Sequence, residues 1–109
     1  MATAFRDFEE FWPFYVSQHR NSTCRLLHFT GTALGLSLAA MSPIFPPLLL
    51  GAPVIGYGFS WVGHFVFEKN KPATFGHPLW SFRGDFRMFR LMLRGRMGPE
   101  VARSAGRYP

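Results

Sequence analysis

The apolar positions of this chain fall into three patterns, and each predicts a different kind of helix. Phe5, Phe8, Trp12 and Tyr15 recur at spacings of three, four and three, which sets them on one stripe of a short helix over 4–17. Asp7, Glu9 and Glu10 fall in its first turns, where carboxylates favour the helix dipole. Pro13 lies inside and is expected to kink or divide it. The run His19-Arg20-Asn21-Ser22 breaks the pattern, with Asn21 or Ser22 as N-cap of a new helix starting near Thr23. His19 then sits in the turn, and His28 on the new helix.

The second pattern is a continuous apolar run. No Asp, Glu, Lys or Arg occurs from Phe29 to Phe67, a stretch of 39 residues. Its first part, 26–41, measures roughly 24 Å as a helix, long enough for a thin bilayer if it extends back to Thr23. Gly31 and Gly35 form a G-x-x-x-G, a weak signal of close helix packing. Pro43, Pro46 and Pro47 make a turn. The second part, 48–67, predicts a helix about 30 Å long, with Pro53, Gly56 and Gly58 bending it. Two such segments read as a two-span helical hairpin with both ends on one side. Arg20, Arg25, Lys69 and Lys71 mark that side and both termini as cytoplasmic.

The third pattern is amphipathic and basic. After a loop over 73–77, Pro78 suits a first helical position. Over 79–94, Phe82, Phe86, Phe89 and Leu93 are each followed one residue later by Arg83, Arg87, Arg90 and Arg94. A stripe of arginines beside an apolar face suits a helix lying in a membrane interface. Asp85 falls on the apolar side and needs a partner, either an arginine or the free N–H of a ligating histidine. The stretch 95–109, with Gly98, Pro99 and Gly106, reads as a flexible tail after a single domain over 1–94. The expected fold class is all-α: a membrane hairpin flanked by interfacial helices.

The net charge of +6 comes from ten Arg and two Lys against six acids. Because the basic residues flank the apolar run, the charge points to an anionic membrane face and away from nucleic acid. The single cysteine, Cys24, permits no intrachain disulfide; it reads as a small packing residue, with a nucleophilic role the lesser alternative. The N-terminal residues carry no signal-peptide pattern, and nucleotide and serine-hydrolase fingerprints are absent.

Four histidines, His19, His28, His64 and His77, each sit near an expected boundary between apolar helix and polar loop. A hairpin brings His28 beside His64, with His19 and His77 in the adjoining loops. Four imidazoles suit zinc, copper, nickel or iron, and without a thiolate pair a closed structural zinc site is disfavoured. Glu68 and Asp85 are the carboxylates available to orient the ligands or to join them. The plainer alternative is a non-enzymatic membrane protein whose histidines are structural, with His64 and Glu68 a simple helix pair.

The segments FYVSQHRNSTCRLLHFTG and GYGFSWVGHFVFEKNKPATFGHPLWSFRGDFRM resemble the Mpo-type family of small membrane proteins, over about 11–94. The match rests on His-Arg-Asn with a second histidine downstream, Trp-x-x-His-x-x-x-Glu-x-Asn-x-Pro-Ala, His-Pro-Leu-Trp-Ser and Gly-Asp. Characterised members are iron(II)-dependent 2-hydroxy fatty acid dioxygenases of the endoplasmic reticulum. The resemblance implies Fe(2+) held by His19, His28, His64 and His77. It also implies O2 and a fatty-acid substrate shortened by one carbon. Arg20, Arg25 or Lys69 would hold the substrate carboxylate.

Overall fold

A computed structural model describes residues 5–109. They form helices α1 (Phe8–Ser17), α2 (Ser22–Met41), α3 (Leu48–Val62), α4 (Pro78–Leu93) and α5 (Met97–Arg107), with no strand among the described residues. The first helix is shorter than expected. Its N-cap is Asp7, whose carboxylate accepts from the Glu10 N–H at 2.9 Å. Ala4, the expected start, lies outside the described residues. Pro13 does not divide α1, which runs on to Ser17. Asn21 caps α2, its side-chain oxygen accepting from Thr23 N at 2.8 Å and Cys24 N at 3.3 Å.

Helices α2 and α3 pack antiparallel through their small residues. A Cβ on Gly31 would lie 2.8 Å from Phe59 Cβ, and one on Gly35 would lie 3.1 Å from the Ala52 carbonyl oxygen. The G-x-x-x-G pair is therefore where the two backbones touch. At Gly63 the α-helix widens into π-helical turns over Gly63–Glu68, which end at Lys69 in the left-handed conformation (φ 59°). Leu48–Glu68 is the one helix among the described residues long and apolar enough to cross a membrane. α2 is 20 residues long, but its polar first turns keep it from qualifying alone.

The large buried side chains lie elsewhere. Phe8, Phe11, Trp12, Tyr15 and Val16 of α1 pack with Met88 of α4 and Met97 of α5 into one core. The stretch 95–109 is mostly helix and not a flexible tail. Trp12 Nε1 donates to Glu100 at 2.8 Å, and Ser104 Oγ donates to the Pro13 carbonyl at 2.7 Å. The arginine stripe of α4 also departs from expectation. Arg83 lies 4.2 Å over the Phe8 ring. Arg87 makes a two-pronged pair with Glu9, at 2.6 and 3.0 Å. Both therefore lean onto α1, Arg87 half-buried and Arg83 still exposed, while Arg90 and Arg94 are exposed.

The apolar surface left over is concentrated on the hairpin. Ile44 is 87% exposed, Leu50 76% and Val54 70%.

Candidate metal centre

Three of the four histidines meet where the end of α1 touches the hairpin. His19, His28 and His64 are each buried, at 1%, 3% and 2% exposure. The Nε2 of His19 lies 3.1 Å from that of His28 and 3.0 Å from that of His64. One coordinating nitrogen from each ring fits within a 4.8 Å span.

The other nitrogen of each ring decides what these contacts are. His19 Nδ1 faces the Tyr15 carbonyl at 2.6 Å, and His28 Nδ1 faces the Cys24 carbonyl at 3.0 Å. His64 Nδ1 faces the Asn70 side-chain oxygen at 2.7 Å. Asn70 cannot be turned the other way, because its amide nitrogen donates to the Gln18 carbonyl and side-chain oxygens at 3.1 and 3.3 Å. All three partners accept only, so each Nδ1 carries the proton. Each Nε2 is then an unprotonated lone pair. The His19 lone pair then faces two others at 3.1 and 3.0 Å, which is repulsive unless a cation sits among them. This is the ligand-orienting pattern of metal-binding histidines.

The two spacings from His19 fit the same group. Cis ligands at right angles, with metal–nitrogen bonds of about 2.1 Å, stand about 3.0 Å apart. The small cavity beside the rings, about 10 Å³, is the size of one ion or water. His19 is also held neutral. Burial, followed by the neighbouring His28 and His64, pushes its pKa well below the usual imidazole value.

The local fold explains how the sequence builds this arrangement. The break at Gln18–Asn21 lets His19 turn back on α1, with its ring stacked on Tyr15 at 4.2 Å. Arg25 fastens the turn by donating to the carbonyls of His19 and Arg20 at 2.7 and 2.8 Å. Gly63 lies against Cys24, whose Sγ would be 2.9 Å from any Cβ there. Cys24 is thus a packing residue against Gly63, the residue just before His64. The π-helical widening places the His64 carbonyl where Asn70 N–H donates to it at 3.1 Å, folding Asn70 back beneath its ring.

His77 does not join the three. Its ring packs among Phe11 at 5.1 Å, Phe5 at 5.3 Å and Trp80 at 5.7 Å. Glu68 also lies apart from the rings and accepts from the Asn21 backbone N–H. Asp85 pairs with neither an arginine nor a histidine; it accepts from the Tyr15 hydroxyl. Burial pushes its carboxyl up to about 7, against the opposing effect of that hydrogen bond. Arg20, Arg25 and Lys69 line neither the small cavity nor the larger one beside it. Tyr15 and Asn70 are the orienting residues that sequence reasoning missed. Asn70 had a signal, its place six residues after His64, whereas Tyr15 looked like one more stripe aromatic.

A family model described as "2-hydroxy-palmitic acid dioxygenase Mpo1-like" matches residues 5–97. This chain belongs to the Mpo1-like family. The matched segment contains all of the three-histidine centre and the helix α4 that covers it. No curated protein and no solved structure matches the chain. The family description points to fatty-acid oxygenation, and the buried histidine triad is compatible with the metal that such chemistry uses.

Proposed function

We propose that this Mpo1-like protein is an iron(II)-dependent dioxygenase that shortens 2-hydroxy fatty acids by one carbon, acting from within a membrane. The observation that carries this reading is the convergence of three unprotonated Nε2 atoms in a buried, ion-sized pocket. Three neutral imidazoles would hold an iron(II) ion while leaving it open to substrate, unlike a closed structural zinc site. Bound iron(II) would supply a redox centre at which O2 and a hydroxy acid react. The reaction balances without an outside reductant: 2-hydroxy acid and O2 give the shortened acid, carbon dioxide and water.

The chain's own groups do the rest. His19, His28 and His64 hold the metal, and Tyr15, Cys24 and Asn70 fix their tautomers. The aromatic and apolar walls keep bulk water away from the reacting carbon. Asp85, reached through Tyr15, sets the position of the ring stacked on His19.

The α2–α3 pair forms the membrane anchor as a two-span hairpin, with α2 crossing alongside α3. Its closed end is buried in lipid or headgroups, and the histidine end lies at the cytoplasmic face with both termini.

Metal analysis of gently purified protein tests this first. Iron near one equivalent is expected, with loss from a His19→Ala/His64→Ala variant. O2 uptake with 2-hydroxypalmitate, absent with palmitate, is expected next. A preparation with no transition metal, or a metal-loaded one inert to 2-hydroxy acids, would overturn the reading.

A further inference from the structure

Beside the three-histidine pocket lies a larger cavity of about 390 Å³, in the size range of small-molecule sites. The two share Tyr57, Ser60 and Asp85 as wall residues. The larger one runs between α2, α3 and α4. On α3 its wall passes through Gly56, Ala52 and Leu49, and on α2 through Thr32, Leu36 and Ala39. These are successive helical turns, so the cavity is a groove about 16 Å long from Ser60 to Leu49. Thr32 apart, its side-chain polar groups belong to the three shared residues; the remainder is carbon and backbone.

A second observation lies at the histidine end. Ser81 lines the small pocket, is 2% exposed, and its Oγ has no hydrogen-bond partner among the described residues. An unpaired buried hydroxyl is destabilising, and a polar group entering the pocket would complete its bond.

We infer that the groove is an acyl-chain subsite and that Ser81 pairs with the 2-hydroxyl of the fatty acid seated in it. This rests on the reading that the chain acts on 2-hydroxy fatty acids. A neutral serine matches a neutral hydroxyl, whereas no lysine or arginine lines either cavity to receive a carboxylate. A free fatty acid also fits better than a bilayer lipid. A phospholipid tail carries an ester and headgroup at the end where the pocket has room for one small group. Groove position then becomes a ruler for chain length. Gly56 is one turn from the histidine end, and a Cβ there would meet only the Gly31 carbonyl oxygen, at 3.8 Å. Ala39 is at the far end.

Binding measured under nitrogen, without turnover, tests this. The full-length protein in detergent is titrated with 2-hydroxypalmitate, palmitate and 2-hydroxydecanoate, each displacing a fluorescent fatty acid. Wild type should prefer 2-hydroxypalmitate to palmitate by about five-fold, the worth of one neutral hydrogen bond. Ser81→Ala should erase that preference and leave palmitate binding unchanged, while Ser81→Thr should keep it. Ala39→Phe should weaken the long hydroxy acid and spare 2-hydroxydecanoate; Gly56→Leu should weaken both. Helical circular dichroism identifies any variant that fails to fold, and Ser81→Thr with Ala39→Phe still decides the matter. A preference that survives in Ser81→Ala, insensitivity to both groove substitutions, or equal displacement by a phosphatidylcholine would overturn the inference. Iron content on the same samples separates the two ideas. Metal-free protein that still sorts chains defeats the proposed reaction alone; metal-loaded protein that does not sort them defeats the subsite alone.

Discussion

Each ring of the triad leans on an oxygen behind it, and the three oxygens are of two kinds. Those behind His19 and His28 are main-chain carbonyls of Tyr15 and Cys24, present whatever side chain stands there. The one behind His64 belongs to the Asn70 side chain and can be removed. Asn70→Ala should therefore weaken metal binding by about 10–100-fold while leaving the other two ligands in place, measured by competition with a chelator. Asp85 invites a different test. Its carboxyl is raised from about 3.9 for an ordinary aspartate to about 7 in the folded chain. Between those values the folded state holds a proton that the unfolded state has lost. Stability from this group is thus full below pH 4 and falls as pH rises towards 7, by about 1.4 kcal/mol per pH unit. Asp85→Asn should flatten that fall in metal-free protein, so denaturation midpoints of the two should diverge across this range. At this scale the sequence was half legible. A hairpin with a broken N-terminal helix predicts that His19, His28 and His64 meet. His77 had the same boundary signal, yet the Phe5, Phe11 and Trp80 rings take it up instead. Side-chain packing of that kind leaves no periodic trace.

Among the elements, the three long helices were legible because their apolar periods and proline breaks are strong. The last one was not. Gly98 and Pro99 looked like chain breakers, but they occupy the first turn of α5, where helix N–H groups have no internal partner and proline does no harm. The π-helical turns at His64 were invisible too, since nothing in the residue types distinguishes them from α-helix. The contact between α1 and α4 turns on one position. A Cβ on Gly84 would lie 2.9 Å from the Tyr15 ring, and that ring stacks on His19. Gly84→Ala should cost about 1–3 kcal/mol and lower metal content as well, seen by thermal denaturation beside metal analysis. A loss of stability with full metal retention would separate the packing from the site.

The whole molecule has two halves of opposite character. α1, α4 and α5 enclose the large buried side chains, as a water-soluble domain does. The hairpin buries mainly small or polar residues, such as Cys24, Gly31, Gly35, Ser60 and Gly63, and turns its aliphatic ones outward. Exposed patches of that extent need lipid or another cover. Cysteines introduced at Ile44 and at Arg107 should report the sidedness proposed here. In sealed vesicles a membrane-impermeant reagent should label the second from the cytoplasmic face and leave the first unmodified there.

The triad stands on the seam between those halves. His19 follows α1 of the aromatic-cored half, while His28 and His64 belong to the hairpin. An ion held by all three would act as a rivet, fastening the body formed by α1, α4 and α5 to the hairpin. Removing it should leave each half folded and loosen only their joint. Hydrogen exchange after chelation should therefore quicken at 18–21 and 69–77, with α4 and α5 as protected as before. A centre built for oxygen chemistry would, on these terms, also hold the protein's two halves in register.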